Sequence, residues 1–464
     1  METILPVENK IEPGLRPLRV INLMQGIAIV AGSMLGIGIF LFPPLIAASA
    51  GSTGWFFLLW ILGIIYALSG SVACGELGAM MPQAGGDYVF QRAAFGPSVA
   101  FASGWMLFVA IFGGSIAGLS VALFQYQIPS LLNIDLSGWI FTGMPWTWAH
   151  LWAIVLIVFL TFLNHLGTRI STVFQLGFTL VAVALMLSPV VKIITSSAME
   201  GPVFTVEWLQ TGFWGLVSGF LFINFAFSGW LNIIYVAGEV NHPEKNIPRS
   251  MFISVLGVGF LYVLLCVAFV WVLGFDGLSG LTHTDAGTAM AERLGKPLLR
   301  TTILVAISMA IVTSLNATIL TSARVAYAMA LDGAFWKGAA ILGGRRLTPR
   351  QALWIQAVLA SLLVLTGSFT AIIQMTSIAM LLTGTLTVLS LFILRITKPL
   401  AVRPYRALGY PWFLAVYIVL SGVVFLGLVV QSFKSDGVDW FFPFLGLLIL
   451  FLAYLGHFLY KKLR

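Results

Sequence analysis

The feature that most constrains this chain is a near-unbroken succession of apolar stretches, parted only by short polar joints. An α-helix needs about 20 mostly apolar residues to cross a bilayer, because lipid offers its backbone N–H and C=O groups no partner. About a dozen such spans fit: 20–48, 53–80, 98–127, 149–166, 170–191, 212–238, 251–274, 299–330, 352–367, 370–395, 411–432 and 440–460. Composition excludes a soluble fold, since 59% of the 464 residues are hydrophobic and only 9% charged. The longest joints, 128–149, 192–211, 275–298 and 331–351, are too short to hold a further domain, so 1–464 reads as one all-α integral membrane domain. The opening stretch exceeds a signal-peptide core and is followed by more spans, so it is expected to stay as the first helix. Residues 285–294 (DAGTAMAERL) read as a short helix outside the bilayer.

The net charge of +8 does not form a nucleic-acid patch. With the N-terminus placed inside, the outer segments hold only Lys192, Arg293, Lys296, Arg300 and Lys434, and the inner ones hold the other 19 of 24 Lys and Arg. That bias puts both termini in the cytoplasm of a multi-pass protein. Cys74 and Cys266 both fall within spans, where a free thiol behaves as a small hydrophobe. No metal, cofactor or nucleic-acid site is expected, and the partners expected are the lipid bilayer and a small solute.

Two spans look interrupted. The first carries Gly32, Ser33, Gly36, Ile37 and Gly38, then Pro43 and Pro44. The sixth carries Phe225, Ala226, Phe227, Ser228, Gly229 and Trp230. A helix-interior glycine costs about 1 kcal/mol relative to alanine, so three within seven residues mark a place where the helix opens. Breaks that head two successive sets of five spans are the sequence pointer to inverted-repeat transporters, whose substrate lies between broken helices near the midplane. The GxxxG pairs Gly114/Gly118 and Gly215/Gly219 instead suggest close helix packing.

Further ordered motifs accompany the breaks. Gly75-Glu76-Leu77-Gly78 closes span two and Pro82, Gly85, Gly86, Asp87 and Tyr88 follow; Gly238-Glu239-Val240 and residues 241–249 (NHPEKNIPR) follow span six. Span eight carries Leu315-Asn316-Ala317 and Ser322-Ala323-Arg324, and Arg403-Pro404-Tyr405 precedes span eleven. Over nearly its whole length the chain thus resembles the amino acid–polyamine–organocation superfamily, most closely its L-type amino acid transporter branch. The resemblance implies a LeuT-type fold: five spans (20–191), five inverted (212–395) and two appended (411–460), working by alternating access.

A zwitterionic amino acid entering such a site loses water from its carboxylate and ammonium, and the protein must replace those hydrogen bonds. The free N–H groups and positive dipole end where span one reopens make Gly36, Ile37 and Gly38 the expected carboxylate cradle, with help from Ser33. Carbonyls near Ala31, Gly32, Phe225 and Ala226 are expected to face the ammonium, with Phe227 and Trp230 over the side chain beside Ser228 and Gly229. Glu76, Glu239 and Asn316 are expected to serve gating or structure, and His165 to cap a helix end.

Three departures from the related proteins stand out. Most carry a small hydroxyl residue where this chain has Ile37. Many place a lysine on span five, bridging spans one and eight; here the stretch Thr179-Leu180-Val181-Ala182 has no amine, and Lys192 lies about 15 Å further along the helix. Thr313 and Ser314 are a thin case for a cation site. Mammalian L-type relatives carry a cysteine between spans three and four that bonds a partner glycoprotein; the joint 128–149 has none, so no disulfide-linked heavy-chain subunit is expected, which suits a bacterial inner membrane. A neutral amino acid exchanger is the favoured expectation. The alternatives are a polyamine or cationic amino acid carrier and a proton-coupled symporter. A channel lacks a filter signature, and an enzyme lacks HExxH or GxSxG.

Overall fold

The computed structural model describes residues 17–140, 146–195, 212–281, 284–344, 347–366 and 369–434. Its helices are α1 (Leu23–Met34), α2 (Gly38–Ala50), α3 (Thr53–Met80), α4 (Asp87–Phe95), α5 (Pro97–Leu132), α6 (Trp148–His165), α7 (Thr168–Thr195) and α8 (Phe213–Ala226). They continue with α9 (Asn232–Tyr235), α10 (Pro243–Leu273), α11 (Phe275–Ser279), α12 (Ala286–Arg293), α13 (Pro297–Leu331), α14 (Arg350–Leu365), α15 (Phe369–Thr397) and α16 (Trp412–Lys434). Among the described residues, α3, α5, α6, α7, α10, α13 and α15 are long and apolar enough to cross a membrane. The pair α1 and α2 qualifies as one span broken by a 46° bend, and α8, α14 and α16 supply shorter apolar helices. Each of the first eleven expected spans therefore corresponds to a helix or a broken helix, and 440–460 lies outside the described residues.

Two elements differ from the sequence expectation. The seventh span, expected from 251, begins at Pro243, because His242 turns at a positive φ of 46° and proline at the first helical position costs no hydrogen bond. The joint after span two carries α4, nine residues too short to show a clear period. Gln91 of α4 holds it to α15 by donating to the Thr383 carbonyl (3.1 Å) and the Thr387 hydroxyl (2.9 Å). The expected short outer helix is α12, whose Asp285 cap accepts from the Thr288 N–H at 2.9 Å.

The broken spans sit inside the bundle. Helix α1 packs against α10, α7 and α13, α2 lies along α8, and α3 packs against α10. Within α5, widened turns over Met106–Gly113 and Leu123–Gln127 interrupt regular winding, a local change found often beside functional sites.

A polar knot joins α6, α7 and α13. Asn164 donates to Asn316 Oδ1 at 2.9 Å, Ser171 donates to the same oxygen at 3.3 Å, and Asn316 Nδ2 donates to Gln175 Oε1 at 2.7 Å. All four side chains are fully buried. Away from water, removing the shared partner leaves the others unsatisfied at a cost of about 1–3 kcal/mol. Asn316→Leu is therefore expected to lower the unfolding temperature of the purified protein by several degrees. A variant that melts with the wild type would show that the knot contributes nothing.

Candidate functional site

Helix α1 stops because Leu35 turns to an extended conformation (ψ 110°) while its N–H still reaches the Ala31 carbonyl at 2.8 Å. The chain resumes as α2 at Gly38, and Ile37 before it provides no side-chain cap. The first N–H groups of a helix have no carbonyl within it to bond, so this end of α2 presents donors and a positive dipole end. A side chain at Gly36 would meet nothing within 4 Å, so its backbone faces open space. Helix α8 stops at Ala226, and α9 begins after five intervening residues. Gly229, at φ 101°, lets the two breaks approach: a Cβ there would sit 2.8 Å from the Ser33 carbonyl carbon and oxygen.

Side chains repair most of the exposed carbonyls. The Tyr262 hydroxyl of α10 is shared between the Met34 carbonyl at 2.6 Å and the Ala226 carbonyl at 3.3 Å, tying the ends of both first halves to one atom. Ser33 donates to the Ile29 carbonyl (2.5 Å) and accepts from Asn232 Nδ2 of α9 (2.6 Å). Ser314 of α13 donates to the Ser33 carbonyl at 3.2 Å, and Thr313 to the Gly32 carbonyl at 3.4 Å. From α7, Gln175 and Thr179 both donate to the Ala28 carbonyl, at 3.2 and 3.4 Å. Since Gln175 also holds Asn316, a neutral amide bridges spans one and eight.

A cavity of about 800 Å³ opens at the breaks. Of the residues singled out in the sequence, Ser33, Gly36, Ile37, Gly38, Phe225, Ala226, Ser228, Gly229 and Trp230 line it. Phe227 does not: it is 1% exposed and packs against the Trp60 and Tyr262 rings, centroids 6.1 and 5.4 Å away. Trp230 stands edge-on to Tyr417, 6.0 Å between centroids. Sequence reasoning missed Tyr262 and Asn232, as well as Asn224, which also lines the cavity. A polar residue on either side of the break in an otherwise apolar span is the signal that points to the two asparagines.

The cavity extends past Thr288 to Asp285, Glu292 and Arg300 at one end of the bundle. There burial pushes the Asp285 carboxyl above its ordinary range, against the hydrogen bonds from Thr288. Toward the opposite end lie ion pairs. Arg324, 1% exposed, donates from Nε to Glu239 Oε1 at 2.7 Å and from Nη2 to Oε2 at 3.2 Å, and Thr168 donates a short hydrogen bond to the same carboxylate. The Glu239 carbonyl takes the Val20 and Ile21 N–H groups, fastening the start of the described chain across that end. Glu76, fully buried, accepts from Arg395 Nε and Nη2 at 3.1 and 2.5 Å and from the Ala407 N–H at 2.6 Å. His165, at the end of α6, accepts from Trp354 Nε1 at 3.1 Å. Among the described residues no three His, Cys, Asp or Glu come together as a metal site.

Comparisons with known proteins agree with this arrangement. The mouse b(0,+)-type amino acid transporter 1 is 25% identical over 405 residues, covering 86% of this chain and 80% of the relative. The mouse Asc-type amino acid transporter 1 is 28% identical over 395 residues, covering 83% and 72%. The human large neutral amino acids transporter small subunit 2 is 28% identical over 395 residues, covering 83% and 71%. The family model for amino acid permeases matches residues 21–454. With a broken-helix cavity inside an all-helical bundle and a match over nearly its full length, the chain belongs to the amino acid permease family, whose members are membrane transporters rather than enzymes.

Proposed function

We propose that this permease exchanges neutral L-amino acids by alternating access, with the substrate held between the two helix breaks. The observation that carries this reading is that the uncapped start of α2 and the end of α8 meet at one cavity. The substrate carboxylate would lie on the N–H groups of Gly36, Ile37 and Gly38, where the half-helix dipole favours an anion. Its ammonium would face the Met34, Phe225 and Ala226 carbonyls, which keep lone pairs after the hydrogen bonds they already accept. Trp230 would cover the side chain. Residues 20–191 and 212–395 would act as the two inverted repeats, with 411–460 appended.

The bias of Lys and Arg supports both termini in the cytoplasm, as in an inner membrane. The Glu239–Arg324 and Glu76–Arg395 pairs then close the cytoplasmic face, and the cavity opens outward past Glu292. No cysteine lies in the joint 128–149, which supports transport without a disulfide-linked partner. One observation favours a second reading, a cationic amino acid or polyamine: three carboxylates, Asp87, Asp285 and Glu292, line the cavity. Competition of neutral against cationic substrates for uptake separates the two.

Liposomes carrying the purified protein and preloaded with neutral amino acids are expected to take up labelled amino acid faster than unloaded ones; equal uptake would exclude exchange. Gly36→Val places a side chain in open space, so folding is expected to survive while uptake falls at least about tenfold through crowding of the carboxylate donors. Undiminished uptake in this variant would remove the cradle. Arg324→Ala leaves the buried Glu239 charge uncompensated, a loss of about 3–5 kcal/mol for a pair of this kind. Its unfolding temperature should drop well below the wild type's, and an unchanged value would mean that the pair does not hold the closed end together.

A further inference from the structure

On the cavity wall stands a carboxylate that the neutral amino acid reading leaves without a role. Asp87, the first residue of α4, is 1% exposed and lines the cavity. Its Oδ2 accepts from the Tyr235 hydroxyl at 2.8 Å, while Oδ1 has no hydrogen-bond partner among the described residues. Among the described residues, the arginines of α4, α13 and α15 are committed to other carboxylates. Arg92, on the same helix, pairs with Asp332 at 2.9 Å, Arg324 of α13 with Glu239, and Arg395 and Arg403 with Glu76. The titratable groups facing Asp87 are Cys74 of α3, Tyr235 of α9 and Tyr417 of α16; α15 contributes the Thr387 hydroxyl.

We infer that Asp87 is a proton-binding site on the transport cavity, and that amino acid movement is coupled to its protonation. An isolated anion with one free oxygen is costly to bury. The start of α4 favours the charged form through its dipole, but burial outweighs it and, despite Tyr235 and Thr387, pushes the carboxyl up to about 7. The proton comes from water in the cavity and returns to water, so no other reactant is needed.

The coupling lies in Tyr235. It closes α9, the second half of the broken sixth span, so its hydrogen bond to Asp87 depends on where that half-helix sits. Withdrawing the Tyr235 hydroxyl strips the anion of its 2.8 Å donor and raises its proton affinity; restoring it releases the proton. By reciprocity, binding the proton biases the half-helix toward the withdrawn position. This inference rests on the transport reading above and adds the coupling ion to it.

The test uses the full chain in proteoliposomes, with exchange of a labelled neutral amino acid first measured at equal pH on both sides. Lowering the external pH from one unit above to one unit below the Asp87 value should then raise uptake by up to roughly tenfold, following the protonated fraction. Asp87→Asn should retain exchange and lose that dependence. Tyr235→Phe should shift the profile to higher pH. The infrared band of a protonated buried carboxyl should appear in the wild type on acidification and be missing in Asp87→Asn.

The same shift predicts stability. Because the folded value lies above the unfolded one, the contribution is present in acid and lost as pH rises through about 7; Asp87→Asn should abolish that alkaline loss of unfolding temperature. A wild type whose uptake is flat with pH while exchange is intact overturns the inference and leaves the transport reading standing. So does an Asp87→Asn profile like the wild type's, or the selective loss of cationic substrates alone, which would make Asp87 a substrate ligand. Absence of any amino acid exchange overturns the transport reading and the coupling with it. Should Asp87→Asn fail to fold, the Tyr235→Phe profile and the wild-type infrared titration decide the matter: an unshifted profile, or no carboxyl band near neutral pH, rejects the site.

Discussion

A helix that opens within a bilayer exposes N–H and C=O groups that lipid cannot satisfy, and most of the structure around the site answers that demand. Two helices open here at adjoining places. Tyr262 holds the last carbonyls of both first halves, Ser33 and Asn232 join the first half of one span to the second half of the other, and Ser314, Thr313, Gln175 and Thr179 take carbonyls along α1. The start of α2 is left open toward the cavity. Carbonyls are repaired by neighbouring helices while donors remain free, a polarity suited to an anionic group of a ligand.

The same hydrogen bonds suggest which parts move together. Tyr262 joins α10 to both breaks, so α1 and α8 are tied at their broken ends. On another side, Gln175 and Asn316 link α7, α13 and α1 through amides, which keep one charge state across the physiological pH range. A lysine at such a bridge would bring a titratable charge into contact with span one. The amide keeps the bridge polar without a titratable charge, so proton linkage falls to a carboxylate on the cavity wall.

Much of the architecture was legible from the order of residues. Spans such as 53–80 and 299–330 read correctly because crossing a membrane demands a length of apolar helix whatever its neighbours are. The breaks were legible for a related reason: Gly36 and Gly38 beside Pro43, and Gly229 before Trp230, each weaken a helix locally. Helix α4 and the early start of α10 at Pro243 were not. A nine-residue amphipathic helix gains its stability from packing on α15, and the first turns of α10 are too polar to resemble a span.

The site divides in the same way. The sequence by itself determined that the chain spans a membrane many times, that two spans open, and that Gly36, Ile37 and Gly38 head a half-helix, because each follows from local propensity and hydropathy. Only the tertiary structure decided which side chains serve the breaks. Phe227 and Trp230 lie three residues apart, yet one packs into the core against Trp60 and the other lines the cavity. Tyr262 and Met34 are far apart in sequence and meet at 2.6 Å. Asp87 reads as part of a glycine-rich joint until folding sets it beside Tyr235, with no ion pair among the described residues. Contacts of that kind depend on how the helices are rotated and shifted against one another, which the pattern of a single chain does not encode.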